Sequence, residues 1–326
     1  MGNIHPDKAS IIITTFNGLY ENTAPCLESI LEKTTYGNYE IVVVDNDSAD
    51  GTRDYLSRLA TLNPLLKLVI NTSNRGFAGG SNDGIRASSG DYLVLLNNDT
   101  QVTDGWLERL LSPLANERMI GMVGPVSNSV GNEQLIFTKG ASPEEIIREG
   151  RLWCGMSGND RFETDMLSFF CVAMRREIVE TIGLLDERFG LGFFEDNDFC
   201  MRVKNAGYKL LCLEGVFVYH RGSSSFGKHP KMTRELLKKN KKLLEEKFGI
   251  RYRPPHPRER HLDLIKSYRE RAQAGGPTTE LIYKINNRVQ ALEKIQPRGL
   301  FKRVLFRRRL SSLGLKPYLR GNLNAV

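Results

Sequence analysis

Gly90-Asp91-Tyr92-Leu93-Val94-Leu95-Leu96-Asn97-Asn98-Asp99-Thr100 is the stretch on which the reading of this chain turns. Tyr92 to Leu96 form an unbroken apolar run, the pattern of a short strand buried on both faces. Two amides and a carboxylate follow directly. Open α/β sheets bind ligands at the carboxyl edge of their strands, so polar side chains delivered there are candidate contacts. Taken alone, Asp99 is equally a turn former or a helix cap. The surrounding sequence has to supply the rest.

Upstream, residues 10–15 are a β-branched run broken by Phe16-Asn17-Gly18, and residues 39–45 are a second buried run ending in the polar turn 46–52. Residues 66–70 read as a third strand, followed by Asn74-Arg75-Gly76-Phe77-Ala78-Gly79-Gly80-Ser81-Asn82. Between them, Thr23 and Pro25 open a helix with Leu27, Ile30 and Leu31 on one face, and Tyr55, Leu56 and Leu59 mark a second. Downstream, 104–116 is amphipathic and 119–124 is apolar. This alternation predicts a parallel, doubly wound sheet.

From 125 to about 165 the periodicity fades, with 143–149 as a short helical candidate. A long irregular stretch of this kind predicts a substrate-facing loop. Trp153 falls within it and reads as packing before it reads as a sugar-stacking surface. Order returns with an apolar strand over 166–174 and a helix over 175–182. Next comes Phe189-Gly190-Leu191-Gly192-Phe193-Phe194-Glu195-Asp196-Asn197-Asp198, leading into a helix that Gly207 stops. A last strand over 209–219 ends at His220-Arg221-Gly222. Beyond Gly227 the composition shifts to a lysine-rich helix (231–248), a proline-containing linker (251–257) and two further helices (261–272 and 279–295). Two units are therefore expected, a main domain over 1–226 and a basic helical extension over 227–326.

The bulk composition narrows the class. A hydrophobic content of 40% over 326 residues can fill a sizeable core. The five cysteines, Cys26, Cys154, Cys171, Cys200 and Cys212, form no C-x-x-C pair, which suits reduced thiols and a cytoplasmic setting. No apolar stretch follows an N-terminal basic segment, so no secretory leader is expected. None approaches the roughly 20 residues that span a bilayer. The formal net charge of +8 is concentrated towards the C-terminus rather than spread as a nucleic-acid footprint.

At the predicted carboxyl edge the first strand brings Thr14, Thr15 and Asn17, and the second brings Asp45 and Asp47. The third brings Asn74, Gly79, Asn82 and Asp83, and the fourth brings Asn97, Asn98 and Asp99. Hydrogen-bonding side chains around one carboxylate able to hold a hard divalent cation suit a nucleoside diphosphate. Neither G-x-G-x-x-G nor G-x-x-x-x-G-K-[ST] follows the first strand, which argues against a dehydrogenase and a P-loop enzyme.

Six segments in this order, residues 10–17, Val-Val-Val-Asp45-Asn46-Asp47-Ser48, Asn74 to Gly80, Leu96 to Thr100, Phe194-Glu195-Asp196 and Tyr219 to Gly222, resemble the family 2 glycosyltransferases, in particular their rhamnosyltransferase-like branch. The resemblance covers roughly 10–226. It implies a GT-A fold, an α/β architecture with a Rossmann-like, mostly parallel sheet flanked by helices, here followed by the C-terminal extension. It also implies inverting transfer from a nucleotide sugar. By this resemblance Thr15 and Asp45 match base-contacting positions. Asn97-Asn98-Asp99 matches the D-x-D motif, whose last Asp binds Mg²⁺ or Mn²⁺ on the diphosphate. His220 matches a histidine that completes the metal site or touches the diphosphate. Glu195 and Asp196 match the acidic pair that supplies the catalytic base, with Asp196 the expected base. Asn97 in place of Asp removes one negative charge, so the metal is expected to arrive with the nucleotide, held mostly by phosphate oxygens and water. Without the resemblance, His220 reads as a strand-end histidine and the two acids as helix-N-terminal charges.

The resulting expectation is a glycosyltransferase moving a sugar, rhamnose among the candidates, from a dTDP- or UDP-linked donor to a hydroxyl of a bacterial surface-glycan or lipid-linked precursor. A nucleotide-sugar-binding protein without turnover, docked to a glycan-assembly complex, is the alternative. Residues 298–320 mix Lys302, Arg303, Arg307, Arg308, Arg309, Lys316 and Arg320 with Leu300, Phe301, Val304, Leu305, Phe306 and Leu310. That mixture suits adsorption to anionic lipid at the inner face of the cytoplasmic membrane, or equally a solvated basic tail.

Overall fold

The computed structural model describes residues 7–222, 230–297 and 299–315. Four apolar runs form parallel strands, β1 (Ala9–Thr15), β2 (Tyr39–Asp45), β3 (Leu66–Ile70) and β4 (Tyr92–Asn97), the first three each followed by a helix or a turn into one. The helices of this half are α1 (Ala24–Lys33), α2 (Thr52–Leu62) and α3 (Gly76–Ala87). The chain then adds β5 (Thr100–Gln101), α4 (Trp106–Asn116), β6 (Ile120–Val126), α5 (Pro143–Ser157), β7 (Arg161–Thr164) and β8 (Cys171–Arg175). It continues through α6 (Arg176–Ile182), α7 (Glu195–Asn205), β9 (Lys209–Phe217) and β10 (Tyr219–His220).

The eight-stranded sheet has the order β3-β2-β1-β4-β8-β6-β9-β7, with β10 and β5 paired separately. It is mostly parallel and flanked by helices, as expected. Two strands depart from the parallel majority. β8 runs antiparallel between β4 and β6, and β7 runs antiparallel beside β9. The apolar run at 166–174 is a strand only from Cys171; Met166, Ser168, Phe169 and Phe170 instead line a cavity. The helix expected at 143–149 extends to Ser157, opened by a capping box in which Ser142 and Glu145 satisfy each other's backbone amides. Trp153 is fully buried, with the Arg288 guanidinium 5.0 Å over its ring, and offers no sugar-stacking face. All five cysteines are buried and unpaired.

The extension comprises α8 (Pro230–Phe248), α9 (Pro257–Gly275), α10 (Thr279–Lys294) and α11 (Leu300–Ser312). The apolar stripe Ile285, Val289 and Leu292 of α10 packs with Leu262, Ile265 and Tyr268 of α9 and Phe306 and Leu310 of α11. Its other face is polar and meets the main body. Asn287 pairs with Phe137 as a strand would, donating to its carbonyl and accepting from its amide at 2.8 Å each. Arg288 donates to the carbonyls of Glu133 and Leu135 at 2.6 and 2.7 Å. At the centre Glu214 of β9 receives Lys284 at 2.5 Å and Arg288 at 2.8 Å, with the Tyr268 hydroxyl also donating to it.

Breaking a buried charge cluster from one side strands the remaining charges, at a cost of about 3–5 kcal/mol. Glu214→Gln is therefore expected to lower the unfolding free energy by about that amount in urea titrations. Burial alone would raise the Glu214 pKa, but Arg288 and Lys284 more than offset this and hold it below the ordinary carboxylate range. A carboxylate depressed in this way stabilises the fold above its unfolded value, about 4.3, and loses that contribution as pH falls through the folded value. The gap between the parent and Glu214→Gln should accordingly narrow on acidification. Equal urea midpoints at neutral pH would rule out this role.

Candidate functional site

A cavity of about 650 Å³ opens where the sheet's carboxyl edge meets the 189–194 loop. Asn97 from the end of β4, His220 from β10, and Glu195 and Asp196 from the start of α7 all reach it. Asp99 lies next to it, on the wall of an adjoining pocket of about 300 Å³ that Tyr219 and Arg221 also line. Asp99 Oδ1 on the one wall and His220 Nε2 on the other stand 3.3 Å apart. Side chains more than a hundred residues apart in the chain therefore converge.

The short β10–β5 pairing sets this contact. His220 lies opposite Thr100, and the Arg221 amide donates to the Asp99 carbonyl at 2.9 Å. The Asn128 side chain brackets the His220 backbone with two 3.0 Å bonds, and Phe170 stacks on the imidazole at 5.3 Å between centroids. His220 Nδ1 is 2.6 Å from the Ser129 carbonyl. A carbonyl only accepts, so Nδ1 carries the hydrogen. Nε2 then has no hydrogen-bond partner among the described residues. A neutral ring would aim its Nε2 lone pair at the Asp99 carboxylate, so the pair is satisfied by a proton on Nε2 or by a cation shared with Asp99. Burial opposes the protonated ring, but the Asp99 carboxylate 3.3 Å from Nε2 and the Ser129 carbonyl outweigh burial and raise the His220 pKa. Among the described residues no group of three or more His, Cys, Asp or Glu side chains could hold a metal ion. The two donors fit a divalent cation that brings its remaining ligands with it.

The acidic pair sits on a constrained turn. Phe193 and Phe194 both have φ of 73°, left-handed values that cost bulky residues energy. The turn is held from two sides. At the start of α3, a Cβ on Gly76 would fall 2.2 Å from the Gly190 carbonyl oxygen, so only glycine allows this approach. From α8, the buried Asn240 amide donates to the carbonyls of Phe189, Gly192 and Phe193 at 2.7, 2.8 and 3.0 Å. Glu195 Oε2 is buried with no partner among the described residues, whereas Asp196 Oδ1 accepts from the Asn197 amide at 2.8 Å. Burial pushes both carboxyls up, and the neighbouring Asp196 charge pushes Glu195 further. Asp198 plays a different part: fully buried, it pairs with Arg202 at 2.9 Å and Lys247 at 2.5 Å.

The other sequence candidates divide by whether their polar atoms are already engaged. The Asn98 amide donates to the Thr15 and Thr23 hydroxyls at 3.0 Å each, and the two hydroxyls are 2.8 Å apart, so Thr15 and Asn98 lock β1 to β4. The buried Asn82 spends both ends of its amide on Leu185 and Glu187. Asn17 accepts from the Ala49 amide at 2.8 Å, and Asn74 accepts from the Gly76 amide at 2.9 Å. Asp45 is fully enclosed, accepting from Ser48 N at 3.1 Å and from Arg53 Nε at 2.9 Å. Asp47 is half exposed and shares Arg53 at 3.1 Å. Arg75 is committed to Asp83 and Glu187. A Cβ on Gly79 would meet the Arg75 side chain, and one on Gly80 would meet Thr14 of β1, so Gly80 lets α3 lie close on the sheet. The half-buried Thr14, only 3.5 Å from the Ser81 hydroxyl, and Asn97 remain available at the edge.

Three participants escaped the sequence reading: Asn240, Phe170 and Arg53. Asn240 carried a legible mark, an amide flanked by lysine pairs in the run Lys238-Lys239-Asn240-Lys241-Lys242.

Residues 10–183 match the family described as Glycosyl transferase family 2. Over 232 residues the chain is 28% identical to glycosyltransferase AglE of Haloferax volcanii, covering 71% of this chain and 69% of that protein. It is 26% identical over 242 residues to O-antigen biosynthesis protein RfbC of Myxococcus xanthus, covering 67% of this chain but only 18% of that protein. The fold is similar to that of a mannosyltransferase from Pyrobaculum calidifontis solved with GDP-Man and Mn²⁺. That likeness has a TM-score of 0.53 and 19% identity, covering 98% of this chain and 84% of the other. The chain belongs to glycosyl transferase family 2.

If the two acids interact as placed, removing one charge should relax the other. In Asp196→Asn, Glu195 is expected to titrate at lower pH than in the parent, read by carboxyl-carbon NMR. An unchanged Glu195 titration would mean that burial alone sets its value.

Proposed function

We propose that the protein transfers a sugar from a nucleoside diphosphate donor to an acceptor hydroxyl with inversion at the anomeric carbon. The observation that carries this reading is the convergence of Asn97, His220, Glu195 and Asp196 on one cavity, with Asp99 against His220. Asp196 is assigned as the base. It removes the acceptor hydroxyl proton as that oxygen bonds to the anomeric carbon, and the bond from that carbon to the diphosphate oxygen breaks with its electrons leaving on the nucleotide. A carboxyl whose pKa lies above the ordinary range is a stronger base than an exposed one, which suits it to this task. Glu195, buried beside it, orients the pair or receives the acceptor. No covalent intermediate is required.

Asp99 and His220 would hold a divalent cation, Mg²⁺ or Mn²⁺, together with phosphate oxygens. Bound there, it would stabilise the charge developing on the leaving diphosphate. Asn97 and Thr14 are assigned to the donor. The enclosure of Asp45 by Arg53 favours assigning any base contact to Asp47 and the neighbouring backbone. A dTDP- or UDP-linked donor, rhamnose among the sugars to test, and a surface-glycan hydroxyl as acceptor complete the reading. The likeness to an O-antigen biosynthesis protein supports the acceptor class.

Screening nucleotide sugars for thermal stabilisation with and without Mn²⁺ identifies the donor; at 100 times its dissociation constant a ligand adds about 2.7 kcal/mol. With that donor, Asp196→Asn is expected to retain the Mn²⁺-dependent stabilisation and to lose transfer by about 10²–10⁴-fold. Asp99→Asn should lose the Mn²⁺-dependent part of the stabilisation. Transfer by the parent should rise with pH along a limb lying above about 4, the ordinary carboxylate value, because the base must be ionised. Full activity in Asp196→Asn, or stabilisation indifferent to Mn²⁺, would contradict the assignment.

A further inference from the structure

The structure settles a pattern that the sequence leaves ambiguous. Helix α11 carries apolar residues all round, interrupted by arginines. Phe306 and Leu310 turn inward and pack on α9 and α10, and Arg309 pairs with Glu259 at 2.8 Å. The opposite face is therefore left over. Leu300 is 81% exposed and Phe301 75%, and Val304 and Leu305 are exposed with them. At 100° per residue these four fall within an arc of roughly 140°. Arg308 projects from the middle of that arc and Arg307 from its flank, and both are exposed. No Asp or Glu occurs from Lys294 to the end of the sequence, so no acid on this stretch neutralises them. Arg298, Lys316 and Arg320 of the basic stretch lie outside the described residues.

We propose that this outward face of α11 docks on an anionic lipid surface, with Leu300, Phe301, Val304 and Leu305 entering the headgroup–acyl boundary. Arg307 and Arg308 would meet the lipid phosphates. Four large apolar side chains on one outward face are costly in water, and their burial in lipid is what interfacial helices achieve. The arginines reach the phosphates while their stems stay among the acyl chains. A nucleic-acid partner would satisfy the charge but leave the apolar residues wet. No helix among the described residues is long and apolar enough to cross a membrane, so the contact is peripheral.

The test uses the full chain, floated with vesicles of phosphatidylcholine alone or mixed with phosphatidylglycerol. Binding is expected to the mixed vesicles only and to weaken with salt. Paired Phe301→Ser and Leu305→Ser substitutions, and separately Arg307→Gln with Arg308→Gln, should each lower the bound fraction at least about tenfold. The thermal midpoint should stay unchanged, because none of these side chains packs on the fold. A second readout is Phe301→Trp, whose fluorescence should be quenched by brominated acyl chains while the buried Trp106 and Trp153 are not. No flotation of the parent, flotation that survives the serine pair, or an unquenched tryptophan at 301 would overturn the proposal. So would a serine pair whose only effect is to convert a dimer to a monomer, which would show that a second copy covers the face. None of these results bears on the transfer reaction.

Discussion

Two residues of antiparallel pairing hold the site together. β10 returns the chain, after the whole sheet has been laid down, to β5 immediately beyond Asp99. A slip of one residue would turn His220 to the other face, leaving Asp99 alone against bulk water. The register is fixed redundantly. Asn128 clamps the His220 backbone, the Arg221 amide closes on the Asp99 carbonyl, and Phe170 stacks on the ring. The result is a largely shielded imidazole and carboxylate that together have room for one positive charge. A proton can supply it, and so can a metal ion carried by a diphosphate.

The part of the cavity that carries the acidic pair is built differently. Its backbone is strained at Phe193 and Phe194, and strain of this kind persists only where the surroundings over-determine it. Here they do so from both ends of the sequence. Gly76, from the Asn-Arg-Gly-Phe motif, permits the 190s loop to approach, and Asn240 gathers three of its carbonyls. Lys247 of the same helix neutralises Asp198 and Asp186, and Leu237 lines the cavity. A lysine-rich helix of the extension is thus part of the site's construction. The like-charged pair at Glu195 and Asp196 is tolerated because burial keeps the two from both ionising readily.

Most of the fold was legible because buried parallel strands are written as continuous apolar runs. β1, β2, β3 and β4 were placed to within a residue or two. Direction was not legible: Cys171 to Arg175 is as apolar as its parallel neighbours, and nothing in its composition records that it runs the other way. β7 was invisible because its residues, Arg-Phe-Glu-Thr, carry too little apolar character. At the site, the identity of the polar residues was legible but their occupancy was not. In the fold Asn98 donates to the Thr15 hydroxyl, and Asn82 pairs with the Leu185 backbone and the Glu187 carboxylate, partners that a linear reading does not supply. Asp45 likewise gains Arg53 only once α2 is in place. The polar face of α10 was also unreadable. A buried lysine and arginine make sense only beside Glu214, seventy or more positions away in the sequence.

The central claim is that Asp99 and His220 share a cation with a diphosphate beside the cavity that Asp196 lines. Anomalous diffraction at the manganese edge, from crystals grown with UDP and Mn²⁺, tests it most directly. The account predicts a single peak in contact with Asp99 and the diphosphate oxygens, on the His220 side of the cavity, with Asp196 facing the position of the departing sugar. A nucleotide bound with no manganese beside Asp99, or a diphosphate seated where Asp196 cannot reach the sugar, would contradict it.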